Sequence, residues 1–165
     1  MSSFNFARVR DVKSPARGTE KSAGLDFFVP NDFPETVVAP QTDLLIPSGI
    51  KMAVPENYML MAAEKSGVVT SKEAAEKAGR TAKKDAFSSI VTLGAKIVDE
   101  DYQGEIHIHV INAGKSPVTI KPGFKITQFI LVPVSYAEPN EVKPEELFAS
   151  ATKRGSGCLG STGSM

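Results

Sequence analysis

Residues 93–111, LGAKIVDEDYQGEIHIHVI, decide the fold. Apolar residues lead into a turn with the consecutive carboxylates Asp99, Glu100 and Asp101, and from Glu105 onward polar and apolar residues alternate as in a half-buried strand. The pattern predicts a β-hairpin with its acidic residues at the tip. Adjacent acids repel each other, which indicates a tip used by a cation, a hydrogen-bond donor or a reaction. A solvated acidic turn explains the same residues equally well.

In the rest of the chain, glycines and prolines also separate short runs of strand-forming residues. Its 165 residues suit one domain, and its 13 glycines and 11 prolines separate short β-rich runs. This spacing predicts an all-β sandwich or barrel. Strands are predicted over 4–10, 22–29, 44–46, 50–54, 58–63, 118–120 and 124–134, with 44–46 and 50–54 paired through a turn at Pro47–Gly49.

The charge balance excludes some classes of protein. Nineteen basic and 19 acidic residues give a net charge of zero, so no nucleic-acid-binding surface is expected. No run reaches membrane-spanning length, and the first residues lack an apolar signal core. Cys158 is the only cysteine, which fits a reducing compartment. We therefore expect a soluble cytoplasmic protein, or a nuclear or host-cell one if the source is viral.

One segment has a helical pattern. Residues 71–87, SKEAAEKAGRTAKKDAF, follow a near-helical period of alanines, although Gly79 interrupts it. We predict a core over 1–136 that carries this helical insert at about 70–88. The acidic, Pro-containing residues after 136 predict a C-terminal arm over 137–165.

Three short segments could serve a ligand. Gly24 ahead of Asp26 suggests close backbone approach, although a turn before a strand is the simpler explanation. The run Lys65-Ser66-Gly67 offers a charge, a hydroxyl and backbone N–H groups to a phosphate. Gln128, inside an apolar strand, needs hydrogen-bond partners or a purpose.

The C-terminal tail has the spacing of a phosphate-binding loop without its lysine. Residues 155–162 follow G-x-x-x-x-G-x-T, with Ser161 at the lysine position, so this is no Walker A motif. Its N–H groups, preceded by Arg154, could still bind phosphates over the site of their own or a neighbouring subunit. An unstructured Gly/Ser tail is the alternative.

Five segments stand in a particular order, and together they resemble the five motifs of the trimeric all-β dUTPases. They are SAGLDF (22–27), EKSG (64–67), GAKIVDEDYQGEI (94–106), KPGFKITQFI (121–130) and RGSGCLGSTG (154–163). The resemblance covers about 4–163 and implies a homotrimer of jelly-roll-like subunits with shared active sites. It also implies Mg²⁺-assisted hydrolysis of dUTP to dUMP and pyrophosphate, which keeps uracil out of DNA and supplies dUMP.

The resemblance implies a role for individual residues as well. Asp99 would activate the attacking water, Tyr102 would pack under the deoxyribose, Asp26 would hold metal-bound water, and Gln128 would lie at the nucleophilic water. The hairpin over 95–108 would bind uracil through its backbone. The other implied substrate-binding residues are Lys65, Ser66, Gly67, Ala95, Ile97, Val98, Ile106, His107, Lys125, Arg154, Gly157, Leu159, Gly160, Ser161 and Thr162.

The chain departs from the family pattern at several positions. Lys65 and Lys125 stand where arginine is common, which keeps the charge and loses a bidentate fork. Leu159 replaces a phenylalanine that stacks over uracil. The link from Ser66 to Asp99 is longer than usual by most of the insert.

Other functions were weighed. A dCTP deaminase shares the fold, but it carries a catalytic glutamate at the position of His109. An interaction protein could use 71–87 as its partner surface. His107 and His109 share one face of a strand and could bind a metal, but with no third ligand evident, ordinary strand histidines are favoured.

Overall fold

The computed structural model describes residues 4–69, 76–79 and 91–156, and almost all of their regular structure is β-strand. The strands are β1 (Phe6–Arg8), β2 (Ala16–Arg17), β3 (Leu25–Phe27), β4 (Thr36–Val38), β5 (Asp43–Pro47), β6 (Ile50–Met52), β7 (Tyr58–Glu64), β8 (Val91–Leu93), β9 (Ile97–Val98), β10 (His107–Asn112), β11 (Val118–Ile120) and β12 (Thr127–Pro133). A one-turn helix, α1, covers Ser66–Val69, and a 3₁₀ turn covers Pro144–Glu146.

Every strand pair in the described chain is antiparallel. The largest sheet has the order β2-β3-β12-β7-β9, a second has β5-β10-β8, and two strand pairs, β1-β6 and β4-β11, complete the set. The predicted all-β class is therefore confirmed.

The core lies between the inner faces of these sheets. Strand β10 alternates between exposed or half-buried positions and buried ones, as its period-2 pattern predicts. Phe27 of β3 and Phe129 of β12 pack with ring centroids 4.5 Å apart, and both rings are fully buried. Burying such a ring contributes about 2 kcal/mol. The largest sheet is thus anchored at the two strands that carry Asp26 and Gln128.

The predicted hairpin of β5 and β6 is wrong. β5 pairs with β10, and β6 pairs with β1. The connection is held in this path because the Ser48 N–H donates to the Ile106 carbonyl (3.0 Å) and the Gly49 N–H donates to Glu105 Oε1 (2.8 Å). Ile46 and Ile50 on either side are fully buried, so the chain crosses between sheets instead of turning back.

The predicted helical insert lies mostly outside the described residues. Only 76–79 of it are described, where the Gly79 N–H donates to the Glu76 carbonyl (2.9 Å). The helix over 71–87 therefore stays a prediction. No described helix has the length and apolar character needed to cross a membrane.

The chain divides into two units, Met1–Ser135 and Tyr136–Met165. The first contains every strand of the described residues. In the second, every described residue is exposed, including the large hydrophobic side chains of Leu147 and Phe148. The division falls beside residue 137, where the sequence predicts the arm to begin.

Candidate active site

The predicted hairpin is closed at its base and open at its tip. Leu93 of β8 pairs with Val110 of β10, and the Gly94 N–H donates to the His109 carbonyl (2.9 Å). Beyond that point β9 pairs with β7 instead of β10, and β9 is the edge strand of its sheet. The predicted hairpin is therefore paired only at its base, because the rest of one arm joins the other sheet.

A cavity of about 190 Å³ opens beside the separated arms. It brings together many residues that the sequence predicts for the site, and those are Ala95, Ile97, Val98, Asp99, Tyr102, Ile106 and His107. The cavity is further lined by Leu45, Lys96, His109 and Phe129, which the predicted set lacks. Leu45 lies on β5, about 50 residues before the motif, so no pattern near the motif predicts its place at the cavity.

Apolar surface is exposed at this cavity. The side chains of Leu45, Ile97 and Tyr102 are 55%, 53% and 44% exposed. Covering apolar side chains of this size with a ligand or another chain lowers the free energy. The cavity therefore suits a molecule with a flat, partly apolar ring.

The turn after β9 fixes the aromatic ring. The Tyr102 N–H donates to the Asp99 carbonyl (3.2 Å), and the Tyr102 hydroxyl donates to the Glu105 carbonyl (2.9 Å). A Cβ atom on Gly104 would lie 2.3 Å from the Tyr102 oxygen, so only glycine lets the ring lie in this place. The ring is thereby positioned at the cavity with little freedom to move.

The three acids of the turn have different surroundings. Glu100 is half-buried, and its Oε2 accepts a hydrogen bond from the Asn57 N–H (2.7 Å), so this carboxylate holds a neighbouring loop. Glu100 and Asp101 line a separate cavity of about 500 Å³. Asp99 is exposed and is the one carboxylate of the turn that lines the 190 Å³ cavity between the arms.

A second group of predicted residues forms around Asp26, which is 5% exposed. Lys125 Nζ lies 2.8 Å from one carboxylate oxygen, and Lys65 Nζ donates to the other. Gln128 lies opposite Asp26 in the β3–β12 register, and its amide N–H donates to the Glu64 carbonyl (3.1 Å). We call Asp26, Lys65, Lys125 and Gln128 the Asp26 cluster.

Electrostatics in the Asp26 cluster favour the ionised acid. Burial raises the pKa of Asp26, but the hydrogen bonds and charges of Lys125 and Lys65 outweigh it and hold the pKa below its usual value. Two ammonium groups and one carboxylate leave one positive charge in excess. Such a cluster is suited to an anion with several oxygens, such as a phosphate chain.

The residues fit Mg²⁺ in one form only. Among the described residues, no group of three or more His, Cys, Asp or Glu side chains could hold a metal ion. Mg²⁺ commonly binds through one or two carboxylates, several waters and the phosphates of a substrate. Asp26, a single carboxylate beside two cationic groups, fits an ion whose other ligands come from such phosphates.

The Asp26 cluster and the cavity share no residue. Glu64 links them, because its carbonyl accepts from Gln128 and its carboxylate binds Lys96 Nζ of the cavity wall (2.7 Å). Glu64 and Lys96 lie in the quoted motifs, but no local pattern predicts their contact.

The remaining predicted residues lie on α1 and in the arm. Ser66 and Gly67 belong to α1 directly after Lys65. Arg154 is exposed in the second unit. The predicted residues Gly157, Leu159, Gly160, Ser161 and Thr162 lie outside the described part of the chain.

Known proteins resemble the chain over its whole length. The family model for dUTPase matches residues 73–163. The deoxyuridine 5′-triphosphate nucleotidohydrolase of Mus musculus is 30% identical over 98% of this chain and 85% of its own length. That of Caldanaerobacter subterraneus is 35% identical over 93% of this chain and 90% of its own. The chain belongs to the dUTPase family. It is therefore a hydrolase of nucleotide metabolism.

Solved structures of dUTPases have the same fold. The Staphylococcus bacteriophage 80alpha dUTPase G164S mutant with dUpNHpp aligns with a TM-score of 0.77 over 99% of both chains, at 19% identity. The dUTPase from phage phi11 of S. aureus aligns with a TM-score of 0.69 over 89% of this chain and 100% of its own, at 18% identity. At such identities the likeness shows the dUTPase fold alone.

Proposed function

We propose that the chain hydrolyses dUTP to dUMP and pyrophosphate, with the uracil deoxynucleoside in the cavity beside β9 and β10. Asp99 activates the water that attacks the α-phosphate in line. The observation that carries the proposal is the open hairpin, which places Asp99 and Tyr102 on a cavity walled by backbone of both arms. Family membership supports the substrate.

The open arms suit recognition of a base by backbone groups. Within the described residues, no strand pairs with the second edge of β9, so its N–H and C=O groups there are available to a ligand. Uracil presents two carbonyl oxygens and one N–H along its edge, which complement such groups. A small cavity between fixed backbone segments also rejects a 5-methyl group, since neither wall can shift as a flexible side chain would.

Tyr102 supports discrimination at the sugar. Its hydroxyl is held by the Glu105 carbonyl and its ring rests against Gly104. A ring fixed in this way packs against a deoxyribose and leaves no space for a 2′-hydroxyl.

The Asp26 cluster supports binding of the phosphate chain. Lys65 and Lys125 supply positive charge for the oxygens, and Gln128 orients the attacking water. Asp26 would hold Mg²⁺ through water, and the ion supplies neutralisation of the phosphate charge when bound. Asp99 then takes the proton of the water, which a carboxylate within hydrogen-bonding reach can do.

We propose a homotrimer with shared sites. The cavity holds Asp99 and the Asp26 cluster holds the cationic groups, and within the described part of one chain the cluster does not line that cavity. Placing the Asp26 cluster of one chain against the cavity of the next completes the site. The tail with Arg154, Ser161 and Thr162 would close over the terminal phosphate.

A substrate panel tests the reaction. We expect dUMP and pyrophosphate from dUTP with Mg²⁺, and far slower turnover of dTTP, dCTP and UTP or of dUTP in EDTA. Asp99→Asn keeps the side-chain shape and removes the base, so kcat should fall about 10³-fold. The mass and melting temperature of the assembly should not change. Ammonia released from dCTP, or an active Asp99→Asn variant, would contradict the proposal.

A further inference from the structure

At the point where the hairpin opens, a histidine side chain accepts a hydrogen bond from a backbone N–H of the other arm. We propose that His109, held by Asp43, is a positioning residue that sets the place of the arm over 95–98 and thereby the pyrimidine specificity of the cavity. This inference rests on the proposed function, because it assigns that residue to the base-binding part of the same site.

The hydrogen bonds along the two arms show how the ring reaches the backbone. The Gly94 N–H donates to the backbone carbonyl of His109 (2.9 Å), as a regular antiparallel ladder requires. In such a ladder the next N–H, that of Ala95, would face away from β10, but it donates to Nδ1 of the His109 ring (3.0 Å). This hydrogen bond lies at the position where the arms begin to separate, and Ala95 lines the cavity.

The ring reaches this position only because residue 94 has no side chain. A Cβ atom on Gly94 would lie 2.2 Å from His109 Nδ1 and 2.5 Å from Cε1. The imidazole therefore lies directly against the backbone of the arm. The side chain of His109 is 26% exposed, whereas Ala95 and Asp43 on either side of it are exposed.

The contacts select one tautomer of His109. Since Nδ1 accepts the Ala95 N–H, the proton must be on Nε2, which lies 2.9 Å from Asp43 Oδ2. Asp43 begins β5, the strand that pairs with β10. His107 takes the opposite tautomer, because its Nδ1 lies 2.9 Å from the Glu105 carbonyl and must donate to it.

The position of this arm decides which base fits. Uracil and cytosine differ in the donor and acceptor groups at ring positions 3 and 4. A backbone held at a fixed distance rejects the wrong base because the mismatch leaves polar groups unpaired, whereas a loose backbone adapts to both. Loss of the Ala95–His109 hydrogen bond should thus weaken dUTP binding and lower the ratio of kcat/KM for dUTP to kcat/KM for dCTP.

The tautomers provide a test that does not depend on activity. Two-bond ¹H–¹⁵N correlation spectra of the full chain should show one Nε2–H and one Nδ1–H ring for its two histidines. His107→Gln assigns the signals. An Nε2–H signal for His109 supports the proposal, and an Nδ1–H signal overturns it.

A matched pair of variants tests the effect on the cavity. In His109→Asn, the amide oxygen can lie near the place of Nδ1 and accept the Ala95 N–H, whereas His109→Leu cannot accept. We expect His109→Leu to raise KM for dUTP about 10-fold, the effect of one N–H left without an acceptor, with kcat within about threefold. The ratio of kcat/KM for dUTP to that for dCTP should fall by a similar factor.

The asparagine variant supplies the rescue. Its KM should stay within about threefold of wild type. If His109→Asn is as impaired as His109→Leu, the positioning role is wrong. Asp43→Ala covers the case of a leucine variant that fails to fold. In Asp43→Ala, part of the His109 rings should carry the proton on Nδ1, and KM for dUTP should rise. If the His109 tautomer and KM both stay as in the wild type, the proposal is overturned.

These outcomes separate the two proposals. If the wild-type protein does not hydrolyse dUTP, the proposed function fails, while the tautomer spectra still decide the His109 contact. If the wild type is active and both His109 variants keep its KM and specificity, only the positioning role fails.

Discussion

At the scale of single residues, neighbours rather than residue type determine what each polar group does. Glu100 and Asp99 are adjacent acids, yet one holds the Asn57 amide and the other faces the cavity. Gln128 is bound to the Glu64 carbonyl, as expected for a polar amide within a strand. The same amide lies beside Asp26, so its structural contact also orients it for the proposed reaction.

Gly24 supplies a prediction at this scale. A Cβ atom there would lie 2.4 Å from Gln128 Oε1 and 2.9 Å from Gln128 Cβ, so in Gly24→Ala the Gln128 side chain must move. We expect a loss of about 2 kcal/mol in unfolding free energy, as for an overpacked core, and a kcat lowered at least tenfold. Urea denaturation and dUTP hydrolysis measure both.

Gly18→Ala is the matched control. A Cβ atom at Gly18 would lie 3.5 Å from Ser22 Oγ, an ordinary contact, so stability and activity should stay near wild type. Equal effects of the two substitutions would show that the position of the Gln128 side chain does not depend on the absence of a side chain at Gly24.

At the scale of elements, the site depends on strands that change partners. β9 pairs with β7 and not with β10, so the two arms of the hairpin separate and the cavity lies beside them. The Asp26 cluster likewise joins the adjacent strands β3, β12 and β7, because Lys125 precedes β12 and Lys65 follows β7. An ion cluster in such a place stabilises the sheet, and in the proposed reaction it also binds the phosphate chain.

The Asp26 cluster predicts a pH dependence of stability. Because its pKa is lowered in the folded chain, Asp26 stabilises the fold above its ordinary pKa of 3.8, and this contribution is lost as the pH falls through the lowered value. Asp26→Asn should cost about 2 kcal/mol at pH 7 and progressively less as the pH falls below 3.8. Urea denaturation in EDTA from pH 7 to pH 2.5 measures this, and a constant difference would contradict it.

At the scale of the whole molecule, the proposed active site is divided. Asp99 lies on the cavity and Asp26 in a cluster that does not line it. The exposed apolar side chains at the cavity and in the second unit give further surface that other chains could cover.

Mixed assemblies test this division. The wild-type protein should have about three times the 17.6 kDa chain mass by light scattering. Asp99→Asn and Asp26→Asn should each be nearly inactive alone. Refolded together in equal amounts, they should recover about one quarter of wild-type activity. Random mixing gives each site an intact Asp99 in half of the cases and an intact Asp26 in half, so both are intact in about one quarter of the sites. No recovery would mean that one chain supplies both residues.

Much of the fold and site could be predicted from the sequence. The alternation in 105–111 and the apolar run in 124–134 lie on real strands, β10 and β12. Several of the motif residues proposed for the site, among them Ala95, Asp99 and Tyr102, line one cavity. The short strands β2 and β4 were missed, because β2 lies in a polar loop-like stretch and β4 in a Pro-rich one that lack this alternation.

Local patterns were enough to predict the all-β class, the family and the segments proposed for the site, because strand alternation and motif spacing are properties of short stretches of chain. The partner of each strand came only from the folded chain: β9 pairs with β7, β5 and β6 separate, and His109 connects Ala95 to Asp43. The entropic cost of closing a loop grows slowly with its length, so several strand pairings cost nearly the same. Packing of the whole core then selects among them.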